Sequence, residues 1–561
     1  MTTATLALLS QLKPGDYIVL TAYFGILLLA GWWTNRRPST STEDYFLASR
    51  SMPVWAVVLS ILSTAQSAAT YVGVPQSAYT GNLTYLAANI GGILAAILLA
   101  TVFIPAYYRH NVTTPYQLLE RRFGSTGRVA AASAYLVGRV FASGARVFIA
   151  AIPAALVLFG DKDNQWAQAG CVLAFCTLGI ALCFFGGVRS VIWIDVLQVT
   201  VYIGAAVAAI FFLLSRIPAD IATITHALAN PPPINNVTPP SKLTVISTSF
   251  DPSAQFTLWT ALTGFVLLSV ASHGADQDLV QRMLTCKSPA KGAWSVISGI
   301  LVGVPAVLIF LILGLLLYIF YQRPDIMGVA HAAPATSDSV FQAFALNHMS
   351  GGLAGLVIAG LFACGPAGIN SGLNAMSSTF VSDIYSRLRP SASPQQQLRI
   401  GRMGTVGAGA ALAGMGLLCV LWYDPKESTV LDFVLAVMNF AYAGLLGVFF
   451  TALFTRRGNG RSVIAALIVG FLVILACQIS AYSLLGRVVP GLLGFASAAE
   501  VTPAALRAQF PWLAWAFPWH LCLGAGAAFI TCALGTPPRS TTPPATPPAP
   551  VPPAPPAPAP R

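Results

Sequence analysis

Runs of about 20 apolar residues alternate with short polar connections along almost the whole chain. A helix rising 1.5 Å per residue needs about that many to cross a hydrocarbon core ~30 Å thick. The apolar segments fall near 16–34, 54–79, 82–108, 129–159, 165–185, 190–215, 255–281, 292–321, 350–385, 403–423, 428–454, 462–484 and 511–535. The pattern predicts an all-α integral membrane protein of thirteen transmembrane helices. Two segments are interrupted: Gly73 and Pro75 break the run in TYVGVPQSAYTG, and Gly274 sits among polar residues in SVASHGADQD. Backbone unwound at mid-depth is tolerated where it faces a cavity or an ion, and a pair of such breaks in matching positions of two halves marks a transporter's site. Segments two to six and seven to eleven are five each, and each set begins with a broken one. A Gly/Pro kink in a packing helix would explain one such break; two in register favour a solute site. The organisation expected is a membrane domain over 1–535, with five-helix sets at 54–215 and 255–454, and a tail over 536–561.

Composition sharpens this picture. Hydrophobic residues make up 56% of the chain and charged residues 9%, against roughly 25% charged in soluble proteins. The net charge of +12 does not point to nucleic acid, because Lys and Arg sit in short loops between apolar runs, where they orient a membrane protein. With thirteen helices and the N-terminus outside, 20 of the 30 Lys and Arg fall on the inner side and eight on the outer. This predicts a multi-pass protein of the cell membrane with its C-terminus in the cytoplasm. The remaining two, Arg139 and Arg146, lie inside the fourth helix. Eight of nine cysteines lie in or at the edge of apolar segments and Cys286 lies in a polar loop, so no disulfide framework is expected. No positive stretch precedes the first apolar run, so no cleaved leader is expected. Thirteen of the 39 prolines lie between Pro537 and Arg561, which predicts a solvated, partly polyproline tail.

The blocks YFLASRSMP (45–53), STAQSAATYVGVPQSAY (63–79), TTPYQLLERRFG (113–124), GGVRSVIWIDVLQ (186–198), DQDLVQRML (276–284) and GINSGLNAMSSTFVSDIY (368–385) together resemble the sodium:solute symporter family, the second block most closely its iodide, monocarboxylate and multivitamin branch. They occur in family order across about 40–455. The resemblance implies two inverted five-helix repeats of the amino-acid-transporter type with flanking helices, alternating access, and a solute entering with sodium. It places the solute beside the first break, at Gln66, Thr70, Tyr71 and Gln76, which as polar residues in a membrane serve equally well as interhelical glue. It also implies a sodium site made of the backbone carbonyls of Ser63, Gln66 and Cys364 and of two hydroxyls at positions that are here Ala367 and Gly368. Those hydroxyls are absent, and three oxygens are too few for a hard cation. The expectation is therefore that sodium is not held at that site with normal affinity. Pro366 has no amide hydrogen and frees the carbonyl of Phe362, which could compensate.

Three further groups carry chemistry. Asp195 lies within a spanning segment, where a carboxylate costs at least ~2.5 kcal/mol and faces a cavity, an ion path or a partner. The resemblance puts it on the cation's inner release path; the alternative is an ion pair, with Arg189 six residues away. Arg139 and Arg146, seven residues apart, share one helix face among small residues. Arg139 is expected to reach the inner headgroups, whereas Arg146 either captures a solute carboxylate bidentately or pairs with a carboxylate of the protein. His273, Asp276 and Asp278 lack the second His or Cys a metal site would need and resemble the cytoplasmic end of the family's helix. There is no phosphate-binding loop, G-x-S-x-G or zinc-protease motif, so an enzyme is not expected. The reading is a secondary transporter, a solute:cation symporter importing a small organic solute with carboxylates as the candidate class. It needs the bilayer, no cofactor except the sodium ion in question, and no obligate protein partner. Its rivals are a carrier of the same fold coupled to protons or independent of sodium, and a solute sensor.

Overall fold

The computed structural model describes residues 12–36, 41–161, 163–184, 187–233, 239–334, 337–349, 351–423, 430–497 and 500–537, and among these the regular structure is entirely helical. The sequence-predicted tail lies almost wholly outside the described residues. The principal helices are α1 (Pro14–Asn35), α2 (Val54–Ala65), α3 (Val74–Thr80), α4 (Ala88–Leu98), α5 (Tyr116–Phe159), α6 (Gln165–Cys183), α7 (Gly187–Arg216), α8 (Gly264–Val270), α9 (Gln277–Leu284), α10 (Pro289–Gln322), α11 (Leu353–Thr379), α12 (Pro394–Trp422), α13 (Val430–Phe454), α14 (Gly460–Ala476) and α15 (Phe517–Ala533). Among the described residues, ten helical stretches are long and apolar enough to cross a membrane unaided, while α14 and α15 are apolar but of 17 residues each. A count of thirteen crossings therefore also needs α14, α15 and the broken pair α2/α3.

Both interrupted segments are unwound, though not where glycine and proline suggested. The first breaks at Gln66, whose backbone is extended (φ −90°, ψ 131°), and resumes through a wide turn over Ala69–Gly73 into α3. Gly73 itself is helical (φ −81°, ψ −30°), and Pro75 stands in the first turn of α3, where its missing N–H costs nothing. The second breaks at Asp276 (φ −88°, ψ 119°), after a wide turn over Ala271–Ala275 and before α9. Each break thus contains an extended residue with a polar side chain, Gln66 in the first and Asp276 in the second.

We call the end of the bundle bearing the 217–257 connection its upper end. There Asp16, at the start of α1, accepts the amides of Gly352 (2.6 Å) and Gly355 (2.8 Å), satisfying donors that the first turn of α11 leaves open. At the lower end Arg128, near the start of α5, is held by Asp383, which follows α11 (2.6 Å). Neighbouring helices α5 and α11 therefore run in opposite directions. They are the third helices of the two five-helix sets, so one set is inverted relative to the other.

Small residues let the elements approach closely. A Cβ on Gly314 would collide with the carbonyl oxygen of Pro75, so α10 holds α3 backbone against backbone. Gly314→Ala is expected to destabilise the protein by about 1–3 kcal/mol through overpacking, read as a lowered unfolding midpoint in detergent; an unchanged midpoint would show that α3 yields freely. The upper end of α3 is also gripped by Lys242, from the 217–257 connection. Its ammonium donates to the carbonyls of Tyr79 and Gly81 (both 2.8 Å) and lies 4.1 Å from the centre of the Tyr318 ring. Burial lowers its pKa to about 8.

Candidate solute cavity and charge cluster

The two breaks face a common cavity of about 210 Å³. Gln66, Ser67 and Thr70 line it from the first broken segment, and Ser272, His273 and Asp276 from the second. Arg139 and Arg146 enter from α5, and Met438 and Tyr442 from α13. Several polar atoms around it have no partner among the described residues, including Thr64 Oγ1, Gln66 Oε1 and Arg146 Nε. Buried polar atoms left this way are available to a ligand or to water.

Beneath the cavity lies a buried ionic cluster. Arg139 bonds Asp276 (2.9 Å) and Asp278, and Arg282 bonds Asp278 (2.8 Å) and Asp195 (3.1 Å). Tyr442 donates to Asp276 (3.0 Å), Ser371 to Asp278 (2.9 Å), and Ser60 to Asp195 (2.5 Å). No member of the five-charge set exceeds 2% exposure, so each charge depends on the others. The cluster joins α5, α7 and α9 directly, and through the hydroxyls α2, α11 and α13.

Arg146 is different. Its guanidinium lines the cavity and touches Met438 Sδ at 3.4 Å. Among the described residues it forms no ion pair, although Asp276 and Asp278 are within electrostatic reach. A permanently charged fork facing an open space suits capture of a planar anion.

The structure brings together Gln66, Thr70, Arg146, His273, Asp276 and Asp278, and corrects several expectations. Arg139 does not reach a headgroup region: it is buried at 2% exposure and serves the cluster, because two carboxylates on the neighbouring α9 segment compensate its charge. Those carboxylates, Asp276 and Asp278, are central ion-pair partners. Tyr71 turns from the cavity to donate to the Val357 carbonyl (2.8 Å), and Gln76 donates to Ser337 at the upper end (3.1 Å); Tyr71 sits within the wide turn that redirects the helix and Gln76 beyond it. Asp195 pairs with Arg282, while Arg189 pairs with Asp44 (3.2 Å). Sequence reasoning missed Arg282 as the hub, and also Ser67 and Tyr442. The hydroxyl spacing of Ser60, Ser63 and Ser67, and Tyr442 within the apolar run AVMNFAYAG, were the available signals.

At the family sodium position, Ser63 and Ala367 are fully buried and Cys364 nearly so. A Cβ on Gly368 would lie 3.9 Å from both Arg146 Cδ and Ser67 Cβ, so the stem of Arg146 borders the place where the family hydroxyl would start. The carbonyl of Phe362, freed by Pro366, accepts from the Tyr23 hydroxyl at 3.4 Å. α11 continues as helix through this turn.

The sequence model described as "Sodium:solute symporter family" matches residues 45–470. The chain belongs to that family. This symporter is 27% identical over 477 residues to the sodium/sialic acid symporter SiaT of Proteus mirabilis, covering 82% of this chain and 89% of that one. It is 27% identical over 500 residues to the sodium/sialic acid symporter NanT of Aliivibrio fischeri, with coverages of 86% and 92%. It is 25% identical over 458 residues to the human sodium/iodide cotransporter, with coverages of 79% and 67%. Its fold matches the substrate-bound, outward-open structure of a Na⁺-coupled sialic acid symporter with a TM-score of 0.73 at 22% identity, over 93% of this chain and 97% of that one. The symporter is thus a multi-pass membrane carrier of a small solute, and not an enzyme.

Proposed function

We propose that this carrier imports a small organic carboxylate and that Arg146 is the charge that selects it. The observation that carries the reading is the Arg146 guanidinium, facing the cavity without a carboxylate partner among the described residues. Gln66, Ser67 and Thr70 would hold the rest of the solute from the unwound segment. Tyr71 and Gln76, packed elsewhere, would act by shaping that segment. The solutes of related carriers supply supporting chemistry, since sialic acid, iodide and monocarboxylates are all anions at neutral pH. A thermal-shift panel of purified protein against carboxylates, neutral sugars and amino acids tests this, because a ligand stabilises the state that binds it. Stabilisation by carboxylates that disappears in Arg146→Ala is expected; stabilisation only by neutral or cationic solutes would sink the reading.

The proposed orientation puts the N-terminus and the upper end outside and the C-terminus in the cytoplasm, with the repeats at 54–215 and 255–454. Its basis is the excess of Lys and Arg in the lower connections.

The proposal for sodium is that Ser63, Gln66, Cys364, Ala367 and Gly368 no longer form a working site. Uptake at fixed membrane potential should persist when choline replaces sodium, and Ala367→Ser with Gly368→Ser should introduce a sodium response. Steep sodium dependence in the wild type would instead mean that backbone oxygens and water suffice.

A further inference from the structure

The buried cluster does not balance. It holds two guanidinium groups, Arg139 and Arg282, against three carboxylates, Asp195, Asp276 and Asp278. The cluster at the lower end does balance, with Arg128 and Arg387 against Glu120 and Asp383. An uncompensated buried charge is costly, and Arg146, which forms no ion pair among the described residues, lines the same cavity as Asp276 and Asp278 and is within electrostatic reach of both, as it is of Arg139. In the solute-free carrier, then, Arg146 covers the surplus negative charge from across the cavity.

We propose that the coupling ion of this carrier is a proton, taken up by Asp195 when an anionic solute occupies Arg146. The inference rests on the anion reading above. Once the solute carboxylate takes the charge of Arg146, the cluster is left with one negative charge, and one proton from the water of the cavity restores neutrality. The proton adds to a carboxylate oxygen to form a carboxylic acid, no other bond changes, and release of the proton with the anion on the other side returns the carrier to its starting charge.

The geometry selects Asp195 as the acceptor. Both oxygens of Asp276 are engaged, one by Arg139 and Tyr442 and the other by the amide of Asp278. Both oxygens of Asp278 are engaged, by Arg282 and by Arg139 and Ser371. In Asp195, Oδ2 accepts from Ser60 and Arg282, while Oδ1 has no partner among the described residues although Asp195 is fully buried. A second fully buried polar atom without a partner among the described residues, Ser63 Oγ, stands one turn along α2 from Ser60. Ser67, just past the break, lines the cavity. The hydroxyls of Ser60, Ser63 and Ser67 thus mark a route from the cavity to Asp195.

The other titratable groups near Asp195 are Arg282 and Asp278 from α9, Cys183 from α6 and Tyr202 from its own helix, with Cys364 of α11 and Tyr23 of α1 beyond them. Thiols and phenols are neutral at pH 7 and guanidinium stays charged, so the exchangeable charge resides on the carboxylates.

The first arm of the test needs no solute. Arg146→Gln removes the covering charge, so at pH 7 the infrared spectrum of the purified variant, subtracted from wild type, should show a protonated-carboxyl C=O stretch. Asp195→Glu in the same background should shift that band. No band in Arg146→Gln, or a band that Asp195→Glu leaves unmoved, overturns the assignment. The second arm uses N-acetylneuraminate and pyruvate with wild-type proteoliposomes in choline buffer. A gradient of one pH unit, alkaline inside, should raise accumulation about tenfold for one proton per anion, without net charge movement. Accumulation that follows a sodium gradient and ignores the pH gradient overturns the coupling. If neither anion is carried, the anion reading of these probes fails, and the infrared arm still decides the proton site.

Discussion

Arg282→Met is expected to cost the folded protein about 3–5 kcal/mol, the usual penalty for removing one partner of a buried ionic set. Arg282 bonds two carboxylates, the Asp278 carbonyl (2.6 Å) and Ser60 (2.9 Å), and is 1% exposed. Methionine fills similar volume, so the loss is electrostatic. Asp195 and Asp278 would be left with one remaining cation, Arg139, which is shared with Asp276 and of these two touches Asp278 and not Asp195. A depressed unfolding midpoint in detergent, partly restored by adding Asp195→Asn, is the expected pattern. The rescue matters because a mere packing defect would not be repaired by neutralising a carboxylate on another helix. An unchanged midpoint in Arg282→Met would mean that water reaches the cluster.

The second large effect concerns transport. A hydrogen bond to a charged group contributes about 1.5–3 kcal/mol, and a guanidinium can offer two to one carboxylate. Arg146→Ala should therefore weaken uptake of a carboxylate solute by about a hundredfold or more. Arg146→Lys keeps the charge and loses the fork, and should retain a substantial part of the activity. Initial rates across a range of solute concentrations separate the outcomes: full activity in both variants would remove Arg146 from the solute site. Its stem passes close to Gly368, so a defect common to every substitution would have to be checked for folding by size-exclusion behaviour.

Much of the architecture was legible because a bilayer imposes one requirement on every spanning element. Apolar length and polar punctuation alone gave the helical segments, the paired five-helix sets and the existence of two breaks. Their positions were misjudged because Gly73 and Pro75 were read by propensity. Pro75 fits the first turn of a helix without strain, and the unwinding falls at Gln66 instead. Arg139 was misread for a related reason: depth along its own helix says how exposed a charge would be in lipid, but not that Asp276 and Asp278 approach from a helix about 137 residues later. Long-range pairing of charges leaves no periodic mark on a single sequence. The missing hydroxyls at Ala367 and Gly368 were visible at once, because an absence at a specified position needs no partner to be recognised.

Lys242 has a consequence for the medium in which the carrier works. It grips α3 through carbonyl oxygens and an aromatic face rather than through a carboxylate. Attraction between two exposed ions fades as dissolved salt shortens the Debye length, whereas a sheltered ammonium held by peptide dipoles presents no opposite ion for salt to screen. On the proposed orientation, this clasp faces the compartment whose ionic strength the cell does not set, and it would hold alike in dilute water and in brine.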